Sequence, residues 1–200
     1  MTMRIRGKKI GPGHPVYIIA EISANHHRHY AEAKKLVREA KVAGADAVKL
    51  QTYTPDTITI DAPQKYFRIR GGTLWDRRTL HSLYQEAYMP WDWQPKLKKY
   101  ADEIGIDLFS SAFDPTAVDF LEKMRVPAHK VASFELTDIP LIQKIARTRK
   151  PMILSTGMAT LEEIAESVAA ARSSGAKQIA LLKCTSAYPT PAEEMNLRVI

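Results

Sequence analysis

In the stretch ADAVKLQT, residues 45–52, Lys49 and Gln51 interrupt an apolar run that begins at Ala47. On a β-strand, residues two apart face the same way, so Lys49 and Gln51 share one face while Val48 and Leu50 share the other. The run predicts a buried strand of a parallel sheet, with polar residues at the end of the strand. Lysine is rarely buried without a partner, so Lys49 either reaches solvent at the strand end or contacts a ligand there.

Composition predicts a globular chain that acts on a small anion. The 200 residues are 45% hydrophobic, enough for one domain or slightly more, and the net charge is +7. No nucleic-acid motif accompanies this charge, and no apolar run is long enough to cross a bilayer, so neither partner is expected. A secretion signal is not seen either, and the single Cys184 excludes an internal disulfide framework. We therefore expect a cytoplasmic location.

Strands and helices are predicted to alternate along the chain. An N-terminal hairpin is expected from residues 3–6 and 8–10. Predicted strands are residues 16–22, 47–51, 107–111, 130–132, 152–155 and 179–184. Predicted helices are residues 30–43, 75–88, 91–104 (with Pro90 near its first turn), 115–124, 139–147 and 160–174, with a further helix starting near Glu193. Residues 52–73 are predicted to be an irregular, functional loop.

This alternation favours a parallel α/β fold of the (β/α)8 TIM-barrel class, with about six of the eight βα units present. No Gly-x-Gly-x-x-Gly follows a strand, which argues against a dinucleotide-binding fold. Because a barrel requires eight units, we expect the 1–200 barrel domain to be incomplete.

Polar residues follow every predicted strand, where a barrel builds its site. They are Glu21, Lys49, Gln51, Ser110, Ser111, Asp114, Lys130, Ser133, Glu135, Ser155, Thr156, Lys183, Thr185, Ser186 and Tyr188. Lysines with hydroxyls suit a phosphate and a carboxylate. Glu21 and Glu135 are the candidate acid–base groups, and carboxylates among lysines are expected to stay ionised. The alternative is that each carboxylate only pairs with a lysine.

The loop histidines, the tryptophans and the cysteine are the other residues that could carry chemistry. Three loop histidines lack zinc-site spacing, so only His26, with Asn25, is kept as a substrate-loop candidate. The tryptophans are expected to anchor helices. Cys184 is expected to be an inert buried thiol.

Five stretches, in order along the chain, resemble the sialic acid synthase family. They are IAEI (19–22) with Asn25-His26, AGADAVKLQT (43–52), KVASFE (130–135), STGM (155–158) and CTSAYPTP (184–191). Within the family, TYTPDTIT (52–59), GTLWD (72–76) and AYMPW (87–91) resemble the pseudaminic acid synthase branch.

The resemblance implies a condensation of phosphoenolpyruvate with an open-chain amino-sugar aldehyde, releasing phosphate and a nine-carbon 2-keto sugar acid. The branch implies 2,4-diacetamido-2,4,6-trideoxy-altrose as acceptor and pseudaminic acid as product. The residues implied to hold phosphoenolpyruvate are Lys49, Ser111, Lys130, Ser133, Ser155 and, in place of the family's asparagine, Ser186. Those implied to face the sugar or the attacking water are Glu21, Gln51, Glu135 and Tyr188.

The resemblance also implies parts that this sequence does not contain. The family's divalent metal, Mn²⁺ or Mg²⁺, would be held by two histidines beyond Ile200, and a C-terminal antifreeze-like (SAF) domain would complete the site in a homodimer. We therefore expect the chain alone to be inactive. His27-Arg28 replace a common Asn-Gly pair, and Lys183 replaces a frequent histidine.

Other functions remain open at this point. Within the family, the product could be N-acetylneuraminate or legionaminate. Outside it, Lys49, Lys130 or Lys183 could form a Schiff base in an aldolase. A fragment that only binds anions, without catalysis, is the alternative from another class.

Overall fold

The N-terminal hairpin is confirmed by the computed structural model, which describes residues 2–70, 75–187 and 190–200. Strand β1 (Met3–Ile5) pairs antiparallel with β2 (Lys8–Ile10). Met3 and Ile5 are buried, and the Arg4 amide donates to the Gln178 side chain over 2.6 Å. The hairpin is therefore fastened to the chain that follows it.

The main sheet confirms the predicted α/β class, because its strands are hydrogen-bonded in chain order. They are β3 (Ile19–Glu21), β4 (Ala47–Thr52), β5 (Asp107–Ala112), β6 (His129–Val131), β7 (Met152–Ser155) and β8 (Ile179–Leu182). Pairing is parallel between β3 and β4 and from β5 through β8. Sequential parallel neighbours are typical of a (β/α)8 barrel; the number of βα units and closure into a barrel stay predictions.

Helices lie between most strands. They are α1 (Tyr30–Val42), α2 (Pro55–Ile58), α3 (Leu80–Ala87), α4 (Trp93–Ile104), α5 (Pro115–Lys123), α6 (Ile139–Arg147) and α7 (Leu161–Ser173). Several begin at side-chain caps that the sequence encodes: Asp114 accepts from Thr116 and Ala117 amides, and Thr160 forms a capping box with Glu163. These caps position α5 and α7 directly after the loops that follow β5 and β7.

Several predicted boundaries were wrong. Strand β3 starts at Ile19 rather than residue 16, and β8 ends at Leu182, before Cys184. Helix α4 starts at Trp93, and the Trp93 amide bonds to the Pro90 carbonyl in a preceding turn, so Pro90 lies outside the helix. Only 3₁₀ turns, Ala192–Glu194 and Leu197–Val199, are found where a helix was expected near Glu193.

The long segment after β4 is more regular than predicted. It contains α2 and a 3₁₀ turn at Lys65–Phe67. Thr54 and Thr57 form a capping box at the start of α2. The predicted helix over 75–88 is shortened to α3, since residues 75–77 form a turn. Part of this segment, residues 71–74, lies outside the described residues. Threonine hydroxyls that bond to nearby backbone favour such caps and turns, which a hydrophobic pattern does not reveal.

The chain divides into two compact units, each with its own apolar core. Unit 1 is Met1–Tyr17 with Phe109–Ile200, and unit 2 is Ile18–Leu108. Leu121, Leu141 and Leu154 are fully buried in the first, and Leu50 and Leu97 in the second. Among the described residues, none of the helices is long and apolar enough to span a membrane.

Candidate functional site

The first predicted site element lies in unit 2, where Lys49 and Glu21 form an ion pair across neighbouring strands. Parallel register places Glu21 of β3 beside Lys49 of β4. The Lys49 side chain is only 14% exposed, whereas that of Glu21 is 38% exposed and also accepts from the Ser23 amide at 2.9 Å. The alternative interpretation of Glu21, that its carboxylate only pairs with a lysine, therefore matches a contact in the structure. A ligand anion at Lys49 would have to compete with this carboxylate.

Gln51, two residues further along β4, is held through its backbone and not through its side chain. Its carbonyl accepts from the buried Gln94 amide at 3.5 Å, and Gln94 in turn accepts from the Thr52 hydroxyl at 2.7 Å. No other described residue hydrogen-bonds to the Gln51 side-chain amide. That amide remains available to a ligand. Sequence reasoning missed Gln94, because its position on α4 gives no sign of its contact with β4.

The loop after β3 holds Asn25 and His26 by internal contacts. The Asn25 side chain donates to the Ile22 carbonyl at 3.1 Å. His26 is 1% exposed, accepts from the Arg28 amide at 3.1 Å and packs edge-on against Trp93. Burial, then the charges of Arg28 and His27, lower the pKa of His26, so the ring is neutral. Both side chains shape the loop, and their substrate role stays a prediction.

The second element lies in unit 1, where Lys130 reaches from β6 to β7. Its Nζ donates to Ser155 Oγ and to the Val131 carbonyl, both at 2.6 Å. Lys130 is 5% exposed and Ser155 is 7% exposed. The parallel register also places the buried Ser111 of β5 beside Lys130. Three predicted phosphoenolpyruvate contacts are thus neighbours on consecutive strands.

The loops after β6, β7 and β8 meet beside this lysine. The Cys184 thiol donates to Ser155 Oγ at 3.3 Å. A Cβ placed on Gly157 would meet Cys184 Cβ at 3.3 Å, Ser133 Oγ at 2.9 Å and Ser186 Oγ closer still. Ser133 and Ser186 therefore point their hydroxyls at one small space above Gly157. Sequence reasoning missed Gly157 as a site residue. A glycine after a strand predicts a turn but does not show which side chains crowd around it.

Glu135 lies in the 3₁₀ turn Phe134–Thr137 that follows β6. Burial raises its pKa, and the nearby charge of Lys130 opposes this less strongly. Its Oε2 is buried and has no hydrogen-bond partner among the described residues. The prediction that lysines keep this carboxylate ionised is thus weakened by burial, which a sequence does not reveal. A carboxyl with a raised pKa can donate or accept a proton nearer neutral pH.

Three further predictions have different outcomes. Lys183 folds back onto Thr185 Oγ1 at 2.9 Å and the Cys184 carbonyl at 3.2 Å. Cys184 is half-buried at the candidate site, so the expectation of an inert buried thiol was wrong about its burial. Tyr188 lies outside the described residues.

Metal ligands are the remaining part of the predicted chemistry. Within residues 2–70, 75–187 and 190–200, no group of three or more His, Cys, Asp or Glu side chains could hold a metal ion. The described residues therefore do not fit the divalent cation that the resemblance implies.

The fold and these contacts define an α/β chain whose strand ends and following loops carry the buried Lys130 and four serine hydroxyls, those of Ser111, Ser133, Ser155 and Ser186. The NeuB family model matches residues 36–200, and the chain belongs to the NeuB family. It is 44% identical to pseudaminic acid synthase of Helicobacter pylori over 183 residues, which are 92% of this chain and 54% of that protein. The chain thus spans about half the length of such relatives.

Solved structures agree with this assignment. The chain matches the spore coat polysaccharide biosynthesis protein SpsE of Bacillus subtilis with a TM-score of 0.82 and 33% identity, over 100% of this chain and 52% of that one. It also matches N-acetylneuraminic acid synthetase of Leptospira borgpetersenii, solved in complex with citrate, with a TM-score of 0.87 and 27% identity, over 100% of this chain and 65% of that one.

Proposed function

We propose that this chain carries the phosphoenolpyruvate-binding part of a synthase that condenses phosphoenolpyruvate with an amino-sugar aldehyde. The observation that carries the proposal is the Lys130–Ser155 contact beside Ser133 and Ser186. A buried ammonium beside serine hydroxyls suits a phosphate oxygen, because each of these groups can donate a hydrogen bond to it. Membership of the NeuB family and similarity to pseudaminic acid synthases support the proposal.

In the proposed reaction, carbon 3 of phosphoenolpyruvate attacks the aldehyde carbon. Water adds at carbon 2, and the C–O bond to phosphate breaks. Lys130, Ser155, Ser133 and Ser186 hold the phosphate and balance its charge as it leaves. Glu135, whose pKa burial raises, is the proposed proton-transfer group in unit 1.

The amino sugar is proposed from the relatives' names alone. A pseudaminic acid synthase would take a diacetamido-trideoxy sugar, and a sialic acid synthase an N-acetylated hexosamine. Because the chain covers about half of such relatives, turnover must be assayed on a polypeptide of their full length. There we expect phosphate release with phosphoenolpyruvate, Mn²⁺ or Mg²⁺ and the diacetamido sugar; no release with any amino sugar would contradict the proposal.

Binding can be tested on this chain directly. Isothermal titration with phosphoenolpyruvate should give saturable binding that inorganic phosphate competes away. Lys130→Met should weaken it by about 10- to 100-fold, whereas Lys144→Met on α6, where Lys144 pairs with Asp119 at 2.8 Å, should leave it unchanged. Equal loss in both variants, or no binding to the native chain, would refute the phosphoenolpyruvate assignment.

An aldolase is the second candidate, because lysines are present at strand ends. Each of them contacts oxygen: Lys49 pairs with Glu21, Lys130 donates to Ser155, and Lys183 donates to Thr185. Such contacts suit a protonated ammonium, whereas a Schiff base requires a neutral amine. Borohydride treatment with pyruvate should leave the chain's mass unchanged. A reduced adduct on any of these lysines would favour the aldolase.

A further inference from the structure

Gly157 is buried at the turn that follows β7, between two loops that carry serine hydroxyls. Ser133 ends the loop from β6, and Ser186 lies in the loop from β8. The φ of Gly157 is outside the left-handed range, so its backbone does not require glycine. The reason for glycine here is therefore space rather than conformation.

That space is shared by the two hydroxyls. An added Cβ would lie 2.9 Å from Ser133 Oγ and nearer to Ser186 Oγ, distances that real Cβ contacts do not reach. Among the described residues, neither hydroxyl has a hydrogen-bond partner. Their neighbour in this space is Cys184, whose thiol donates to Ser155 Oγ, the oxygen that also accepts from Lys130. The Ser133 and Ser186 hydroxyls thus lie next to Lys130 and Ser155, the other proposed phosphate contacts.

We infer that Gly157 determines whether the site accepts a phosphate group, because only the missing side chain lets Ser133 and Ser186 direct their hydroxyls at the same oxyanion. The inference rests on the proposed function and adds a residue that contributes no polar side chain of its own. A serine hydroxyl can rotate about χ1 to avoid a new methyl group. Gly157→Ala should therefore fold normally, with both hydroxyls turned away from the ligand.

The test compares phosphoenolpyruvate affinity and thermal midpoint for the native chain and Gly157→Ala. Because both hydroxyls would lose their hydrogen bonds to the charged phosphate, Gly157→Ala should weaken the Kd by about tenfold. The midpoint should stay within a few degrees of the native one. Gly175→Ala, in the same unit with φ +108°, is the matched control: it should lower the midpoint and leave Kd unchanged.

A third variant separates hydroxyl placement from direct obstruction. In the double variant Ser133→Ala, Ser186→Ala, no hydroxyl remains to be displaced, so adding Gly157→Ala should weaken binding by less than twofold. An equal loss in both backgrounds, or native affinity for Gly157→Ala, would overturn the inference. If the native chain does not bind phosphoenolpyruvate or inorganic phosphate, the proposed function fails first, and this inference fails with it.

Discussion

The two buried strand-end lysines differ in what surrounds them. In unit 2, Lys49 faces the carboxylate of Glu21, its register partner on β3. In unit 1, Lys130 donates to two neutral oxygens, Ser155 Oγ and the Val131 carbonyl. The paired carboxylate of Glu21 offsets the charge of Lys49, whereas Lys130 donates to neutral oxygens and has the Glu135 carboxyl, whose pKa burial raises, nearby. Similar sequence positions therefore have different partners, and we propose Lys130 as the stronger phosphate ligand.

The largest expected effect is at Lys130 itself. Lys130→Met should weaken phosphoenolpyruvate binding by about 10- to 100-fold, the loss of one charge-assisted hydrogen bond of roughly 1.5–3 kcal/mol. Lys49→Met should cost less, because Glu21 already balances that charge. Titration calorimetry on both variants measures the difference. A greater loss for Lys49→Met would reverse the proposed order of the two lysines.

Glu21→Gln should have a smaller effect of the opposite sign on binding. Removing the carboxylate frees the Lys49 ammonium, so affinity for phosphoenolpyruvate should rise by about twofold to fivefold at low ionic strength and less in high salt. Glu162→Gln, in the exposed first turn of α7, is the control and should change neither the affinity for phosphoenolpyruvate nor its dependence on salt. Weaker binding by Glu21→Gln would mean that Glu21 contacts the ligand or positions Lys49 for it, and unchanged binding would mean that Lys49 does not contact the ligand.

The carboxylate of Glu122 should affect stability and not binding. Burial alone would raise its pKa, but hydrogen bonds from His129 at 2.8 Å and Lys150 at 2.7 Å outweigh burial and lower the pKa from 4.5. A carboxyl pKa lowered by folding contributes stability above its unfolded value, and that stability is lost as pH falls through the folded value.

Urea unfolding should therefore show Glu122→Gln to be less stable than the native chain at pH 7, by about 1 kcal/mol because a third of the side chain is exposed to screening solvent. The difference should shrink below pH 4.5. A difference that is constant with pH would show that packing, not charge, holds Glu122.

The smallest effect is expected for Glu135→Gln. Burial raises the pKa of Glu135, so keeping it ionised costs stability at neutral pH, and protonation relieves this cost as pH falls through the folded pKa. Glu135→Gln should be as stable as the native chain or more so at pH 7, by under about 1 kcal/mol. The advantage should disappear in acid. Destabilisation at pH 7 would assign Glu135 an ion-pairing role like that of Glu21.

The hydrophobic pattern predicted the sheet well, because β4 through β7 are short apolar runs between capped helices. Residues 139–147 and 152–155 coincide with α6 and β7. The pattern also identified the strand-end lysines and serines. It could not assign their partners: the carboxylate on Lys49, the burial of Glu135 and the crowding above Gly157 depend on which strands become neighbours.

Local boundaries were less predictable where polar side chains bond to backbone. The segment after β4 was expected to be irregular, yet Thr54 and Thr57 close the short helix α2. Trp75 was expected to anchor a helix, but it is 49% exposed in a turn, whereas Trp93 packs against His26 and Tyr30 as expected. Such outcomes depend on tertiary contacts that hydrophobic periodicity does not encode.

The central claim concerns where the phosphate lies, and a crystal structure of this chain with phosphoenolpyruvate tests it most directly. We expect phosphate oxygens within hydrogen-bond distance of Lys130 Nζ and the Ser155 hydroxyl, with Ser133 and Ser186 completing the contacts above Gly157. A phosphate bound at Lys49 with Glu21 displaced, or a ligand bound elsewhere with these four side chains unengaged, would contradict the account.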